Sequence, residues 1–141
     1  MTGHEATAER VIPASVDRVW RTLTSDDGHS AMMFGSTVVT DWREGHDIEW
    51  HGEWEGKPFT DRGVIVDLDA PRSLVVTHYS PMSGRPPEEA THRIAWTLRP
   101  DGAGTVVVLS QDGNPTPEAA EHAAGNWAAA LELLERAVLE R

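Results

Sequence analysis

Cysteine is absent from this 141-residue sequence, and basic residues are scarce. Without cysteine the chain can form neither disulfides nor thiolate metal sites, which fits a reducing compartment. Only 12 lysines and arginines stand against 23 aspartates and glutamates, giving a formal net charge of −11. A surface of this charge repels phosphate backbones and anionic lipids, so we expect no binding to nucleic acid.

Long apolar runs are also missing. No run of about eighteen apolar residues, the length that spans a bilayer, occurs in the sequence, so membrane insertion is not expected. The first five residues show no basic segment leading into an apolar one, as a secretory signal would. We therefore expect a cytoplasmic protein, and the length predicts a single domain over residues 1–141.

Tryptophan, in contrast, is abundant, with six in the chain. One of them belongs to the last quarter of the sequence, which predicts a long helix over residues 117–140. Thr116 is a suitable N-cap, and proline is favoured at the first helical position that follows it. Large apolar residues then share one helical stripe. They are Trp127, Leu131, Leu134 and Val138. Such a helix needs a sheet to cover its apolar face.

The rest of the chain supplies the strands of that sheet. Residues 6–12 predict a first strand, 16–23 a short amphipathic helix, and 29–34 a second helical segment. The period then changes to two, with Gly, Pro and Asp turns between the strands. These strands are predicted at 37–42, 47–54, 62–67, 73–79, 91–99 and 105–111. Residues 80–90 form the one long irregular connection.

Short motifs along the chain resemble those of a known superfamily. They are AS at 14–15, VW at 19–20, MFG at 33–35, TDW at 40–42, WHGEWEGKP at 50–58, DAPRSL at 69–74, GT at 104–105, QD at 111–112 and NW at 126–127. In this order and spacing they are similar to the helix-grip superfamily of START and Bet v 1-like (SRPBCC) domains. The resemblance is strongest to the bacterial branch related to the activator of the heat-shock protein 90 ATPase.

The resemblance implies an α+β helix-grip fold. In that fold a curved antiparallel sheet of about six to seven strands wraps on a long C-terminal helix, with two short helices after the first strand. A cavity lies between sheet and helix. Members bind lipids, sterols, flavonoids, polyketide intermediates or hormones, and some catalyse cyclisations or dehydrations. No single catalytic signature runs through the bacterial branch, so it supplies no active residues.

Strand alternation and this resemblance together predict the residues that face the cavity. Aromatic walls with a few polar groups are typical of a site for a mostly apolar ligand. A packed core with internally satisfied polar groups is the alternative. The candidates are Met33, Phe34, Trp50, Trp54, His78, His92, Trp96, Gln111, Trp127, Ala130 and Leu131.

His78 and His92 are the weak candidates for catalysis. They flank the 80–90 connection on strands expected to pair, so their rings could be close. An imidazole pair can perform acid–base chemistry near neutral pH, but a structural histidine is the commoner case. No carboxylate is evident to orient either ring unless Glu88 or Glu89 folds back.

The sequence contains no motif for a metal site, a serine hydrolase or a phosphate-binding loop. The seven histidines include no pair spaced for a helical metal site, and we expect no metal. Neither a Gly-x-Ser-x-Gly elbow nor a glycine-rich phosphate loop is present, and we expect no cofactor.

Three functions remain in order of preference. The favoured one is non-catalytic binding of a small hydrophobic or aromatic molecule, such as a lipid, flavonoid or polyketide-like compound. The second is a cyclase- or dehydratase-type enzyme using His78 or His92. The third is a protein-partner role like that of a chaperone ATPase activator. A homodimer is left open.

Overall fold

The computed structural model describes residues 3–140. The elements, in chain order, are β1 (His4–Ile12), α1 (Val16–Leu23), α2 (Asp26–Met32), β2 (Thr37–Val39), β3 (Asp47–Trp54), β4 (Lys57–Asp69), β5 (Ser73–His78), α3 (Pro87–Ala90), β6 (His92–Asp101), β7 (Gly104–Asn114) and α4 (Pro117–Leu139). A 3₁₀ turn, Pro81–Ser83, lies between β5 and α3.

The strands form one curved antiparallel sheet in the order β1-β7-β6-β5-β4-β3-β2. Strands β2 to β7 follow chain order as an antiparallel meander, and β1 forms the edge of the sheet beside β7. Helix α4 packs on β1 and β7 and against α1 and α2. This arrangement confirms the predicted α+β helix-grip fold, with two short helices after the first strand.

The long helix forms as its sequence predicts. Thr116 is the N-cap, and its hydroxyl accepts a hydrogen bond from the amide of Ala119 at 3.0 Å. The apolar stripe faces the sheet, and Leu131, Leu134 and Val138 are completely buried. These side chains meet buried residues of β1, α1 and the central strands in one continuous core.

Strand β4 differs most from its prediction, which began at residue 62. It starts at Lys57, because Glu55 and Gly56 form a two-residue turn with Trp54 opposite Lys57. Both turn residues have positive φ, 50° and 79°, as in the type I′ turn that suits the twist of a hairpin. The β3–β4 hairpin is therefore longer than its composition suggests, and its tip extends past the end of β5.

Among the other boundaries that differ from the predictions, two have a clear local cause. Strand β2 ends at Val39, before the predicted 42, because Trp42 takes a positive φ of 56° and its indole N–H donates to Asp26. Helix α2 begins at Asp26, before the predicted 29, because the Ser25 hydroxyl caps its first turn. Within residues 3–140 no helix is both long and apolar enough to cross a membrane.

Candidate functional site

A groove of about 1020 Å³ lies between the first half of α4 and the β3–β4 hairpin. The segment after α2 and the end of β7 complete its walls. Its aromatic lining consists of Phe34, Trp50, Trp54, Phe59 and Trp127. The size and the aromatic walls are those of a small-molecule site.

The groove exists because α4 changes character along its length. In its first half, Ala119 and Ala123 face the hairpin, and their short side chains leave the intervening space unfilled. In its second half, Leu131 and Leu134 fill the corresponding space and are fully buried. One helix thus forms a cavity wall at one end and a core element at the other.

Trp127 lies where these two halves of the helix meet. Its ring is only 9% exposed and lines the inner end of the groove. Its indole N–H donates to Gln111 Oε1 on β7 at 2.9 Å, so the buried donor is satisfied. This bond ties α4 to the sheet beside the groove.

Trp50 on β3 is positioned by a histidine that sequence reasoning did not select. The Trp50 indole N–H donates to Nε2 of His29 at 3.0 Å, and His29 Nδ1 lies 3.1 Å from the carbonyl oxygen of Leu23. A carbonyl can only accept, so the proton is on Nδ1 and the ring is neutral. The His29 ring also contacts those of Trp42 and Trp96, at 5.2 and 5.7 Å between centroids.

Burial controls the protonation of His29. The side chain has no exposed surface, and loss of hydration lowers its pKa from 6.5 to about 4. The hydrogen bond to Leu23 and the charge of Asp26 act in the opposite direction but do not prevail. At neutral pH the imidazole therefore stays uncharged and can accept from Trp50.

A second histidine, His78, pairs with a carboxylate that lines the groove. Its Nε2 lies 2.9 Å from Oδ2 of Asp61, and the two side chains are 18% and 15% exposed. The His78 ring packs against Trp50 at 5.1 Å between centroids. The carboxylate that orients His78 is thus Asp61, and not Glu88 or Glu89, the two that sequence reasoning considered.

The structure places six of the predicted cavity residues along the groove. They are Met33, Phe34, Trp50, Trp54, Gln111 and Trp127. The other five lie outside its lining. Trp96, Ala130 and Leu131 are fully buried in the core. His78 and His92 pair directly across β5 and β6, and His92 Nδ1 lies 2.8 Å from the carbonyl oxygen of Asp112.

Several lining residues were missed by sequence reasoning although the sequence contains a signal for them. Ala119, His122, Ala123 and Asn126 precede Trp127 on the same helical stripe, at spacings of three and four. Asp61 is opposite Trp50 once the turn at Glu55 and Gly56 is assigned as a two-residue turn. For His29 the only signal is its place in a short helix beside Met32, which does not predict a bond to Trp50.

The described residues do not form a cluster of side chains suited to a metal ion. In the described part of the chain no three histidine, aspartate or glutamate side chains lie close enough together to hold one. The polar side chains that line the groove are instead carboxylates, amides, one hydroxyl and one imidazole. Such an arrangement suits hydrogen bonds to an organic molecule.

The fold and the groove define a protein of the helix-grip, Bet v 1-like superfamily. Within it, the chain belongs to the family described as activator of Hsp90 ATPase homolog 1-like protein, whose model matches residues 13–138. The family resemblance seen in the sequence is thereby confirmed. No curated protein matches the chain in sequence.

Solved structures show the same fold. ChR145 from Cytophaga hutchinsonii is 37% identical over 96% of this chain and 94% of that protein, with a TM-score of 0.83. The Aha1 dimer from Colwellia psychrerythraea is 18% identical over 96% of each chain, with a TM-score of 0.75. DynU16 of the dynemicin biosynthetic locus is 14% identical over 94% of this chain and 46% of that one, with a TM-score of 0.77.

Proposed function

We propose that this protein binds a small, mostly apolar organic molecule in the groove between α4 and the β3–β4 hairpin, without catalysing a reaction on it. The observation that carries the proposal is the groove itself, about 1020 Å³ of space walled by five aromatic rings. A packed core would leave no such space, since protein interiors are normally filled to the density of organic crystals. Aromatic walls favour a flat, ring-containing ligand such as a flavonoid or polyketide-like compound.

The positions of the histidines favour binding over catalysis. A general base must come within hydrogen-bond reach of its substrate. Neither His78 nor His92 lines the groove, and the imidazole that does, His122, is exposed on α4. A cyclase or dehydratase built on His78 or His92 would need that side chain to reach the groove, and neither is part of its lining. DynU16, from a biosynthetic locus, is a distant relative and supports a small organic ligand only by analogy.

The test uses the tryptophans of the groove as reporters. Purified protein is titrated with flavonoids, sterols, fatty acids and polyketide-like aromatics while tryptophan emission is recorded. Trp50, Trp54 and Trp127 line the groove, so we expect saturable quenching or a spectral shift with at least one ring-containing class. A flat response across the whole panel would contradict the proposal.

A matched pair of variants locates the binding site. Ala123→Leu adds bulk on the face of α4 that lines the groove, whereas Ala128→Leu adds the same bulk on an exposed face of the same helix. We expect the first variant to weaken binding at least about tenfold, because a leucine side chain occupies part of the space for ligand. The second should bind as the wild type does. Equal loss in both would place binding elsewhere.

The family name and the Colwellia dimer suggest two other kinds of partner, each with its own test. An activator of a chaperone ATPase would raise that enzyme's turnover, and we expect no such increase if the groove is the functional site. For a homodimer, the exposed aromatic residues available beside the groove are Phe34 and Trp54, at 59% and 63% exposure. Sedimentation of the wild type and of a Trp54→Ser variant measures that association directly.

A further inference from the structure

Gln111 on β7 holds its side-chain amide in one fixed orientation at the groove. The indole nitrogen of Trp127 lies 2.9 Å from the amide oxygen, Oε1, and an indole N–H can only donate. Oε1 therefore faces Trp127, and the NH₂ group, Nε2, points away from that ring. The amide cannot turn over without losing this hydrogen bond.

The NH₂ group of Gln111 is an accessible donor without a partner in the described protein. No group among residues 3–140 accepts a hydrogen bond from Nε2. In the same range, the buried side-chain atoms that lack a partner belong to Asp61, His78 and Trp96, and Nε2 is not one of them. Nε2 therefore keeps surface that water or a ligand can reach.

The position of Gln111 in the sheet places this surface at the groove. Gln111 pairs with Ala6 of β1 on one side and with Ile94 of β6 on the other, and both neighbours are buried. The side chain extends toward α4, where it meets Trp127. Gln111 and Trp127 both line the groove between the sheet and this helix. A ligand at this inner end of the groove therefore lies beside the free donor.

The charged groups of the groove determine which acceptor suits this donor. Asp61 and Glu53 are carboxylates of the lining, and the described lining contains no lysine or arginine. The whole chain carries a formal net charge of −11. A carboxylate or phosphate on the ligand would meet these like charges, whereas an uncharged carbonyl oxygen accepts from an amide without that repulsion.

We propose that Gln111 determines ligand specificity in the groove, and that the ligand is an uncharged, ring-containing molecule with a carbonyl oxygen that accepts from Gln111 Nε2. Aromatic ketones and quinones combine a flat apolar body with such an acceptor at the edge of the rings. This inference rests on the proposed function, because it names the group by which the same groove recognises its ligand.

The test compares three compounds with one ring system: fluorenone, fluorene, and fluorene with a carboxylate at the carbon that carries the ketone. Equilibrium dialysis against the intact protein at neutral pH measures each dissociation constant. We expect fluorenone to bind at least about tenfold more tightly than the carboxylate, because the acidic groove repels only the latter. Fluorenone and fluorene differ in hydrophobicity, so the ratio of their affinities is compared between the wild type and variants.

The variant Gln111→Glu converts the donor into an acceptor. Its carboxylate can still accept from Trp127 but places an oxygen where Nε2 was. We expect the ratio of fluorenone affinity to fluorene affinity to fall at least about fivefold. Asn126→Asp is the matched control, because it makes the same amide-to-carboxylate change at an exposed residue of the same groove. It should keep the wild-type ratio within about twofold.

Nuclear magnetic resonance observes the donor directly in the wild type. Gln111 is the only glutamine in the chain, so nitrogen-15 in glutamine side chains reports its NH₂ group alone. We expect an NH₂ proton to move further downfield on saturation with fluorenone than with fluorene. The two compounds have similar ring currents, so the difference reports the hydrogen bond to the ketone.

The outcomes separate this inference from the proposed function. An unchanged affinity ratio in Gln111→Glu, or tighter binding of the carboxylate than of the ketone, overturns the role of Gln111 and leaves the groove as a binding site. So does binding of none of the three compounds when another ring-containing class binds. If none binds and the wider panel is also flat, the proposed function fails and this inference with it. If Gln111→Glu does not fold, as judged by circular dichroism, the resonance experiment decides, and equal shifts with the ketone and the hydrocarbon overturn the inference.

Discussion

His29 illustrates how one buried residue can make stability depend on pH. In the folded protein it accepts a hydrogen bond from Trp50 and is sealed from water. Protonation would add a charge in the core and turn the accepting nitrogen into a donor facing another donor. The neutral ring is therefore part of the structure that holds the groove wall in place.

We predict that lowering the pH from 6.5 to 4 destabilises the protein through His29. Its pKa is 6.5 when exposed and about 4 in the fold, so in this window the unfolded chain binds more protons. Stability contributed by the neutral ring is complete above pH 6.5 and falls as the pH drops, by roughly 3 kcal/mol in total.

Urea unfolding at several pH values checks this prediction, with His29→Gln as the comparison. Glutamine can accept and donate without titrating, so the variant should lack the His29 component of the pH dependence. Carboxylates titrate in both proteins, and the difference between the two curves isolates His29. Parallel curves from pH 6.5 to pH 4 would show that His29 is not responsible.

A second prediction at this scale concerns Trp127. Replacing it with alanine should lower the free energy of unfolding by about 3–5 kcal/mol, because a large buried ring is lost from the core end of the groove. Trp127→Phe keeps most of the packing but leaves Gln111 Oε1 without its donor, and should cost about 1–3 kcal/mol. Thermal melts measure both. A Trp127→Ala variant melting within about 1 °C of the wild type would contradict the buried position of the ring.

At the scale of elements, helix α4 depends on its cap. The Thr116 hydroxyl accepts a hydrogen bond from the backbone amide of Ala119, and Ala119 is also one of the residues that line the groove. We predict that Thr116→Ala lowers the free energy of unfolding by about 1 kcal/mol and weakens ligand binding, because the first turn of the wall frays. Thr116→Ser keeps the hydroxyl and should behave as the wild type does. Urea unfolding and the fluorescence titration measure the two effects.

Elements with strong periodic patterns were predictable from the sequence, and local backbone geometry was not. Helix α4 was placed within a residue at its end, because an N-cap and an apolar stripe agree. The start of β4 was misplaced, because Pro58 and the neighbouring glycine indicate a turn by composition. Pro58 is tolerated there since β5 does not extend far enough to pair with that part of β4.

The candidate site was less predictable than the fold, for a physical reason. Alternation predicts which face of a strand a residue occupies, and so it selected Trp50, Trp54 and Gln111. It cannot predict whether that face is filled by the opposing helix, which is why Trp96 was also selected although it lies in the packed core. The bond between His78 and Asp61 depends on register between strands, which composition does not determine.

At the scale of the whole molecule, charge is the dominant feature. A formal net charge of −11 on 141 residues makes the compact state repel itself. The Arg10–Glu135 and Arg136–Glu132 ion pairs offset little of this repulsion, because both are partly exposed.

We therefore predict that added salt stabilises the protein. Raising sodium chloride from about 0.01 M to 0.15 M shortens the screening length from about 30 Å to about 8 Å. The melting temperature should rise by a few degrees, because repulsion between distant carboxylates is screened. Thermal melts across this range, with buffer and pH constant, measure the change. A melting temperature that falls with salt would mean that attractive pairs outweigh the repulsion.

The division of α4 into a wall half and a core half has a practical consequence for protein engineering. The first half of the helix lines the groove with the residues at positions 119, 123 and 126. The second half is buried in the core at positions 131, 134 and 138. If the groove binds a ligand as proposed, a library that randomises only the first set should change which molecules bind, with little effect on the second. Ligand specificity and protein stability would then be changed separately, which is useful in a starting scaffold for biosensors.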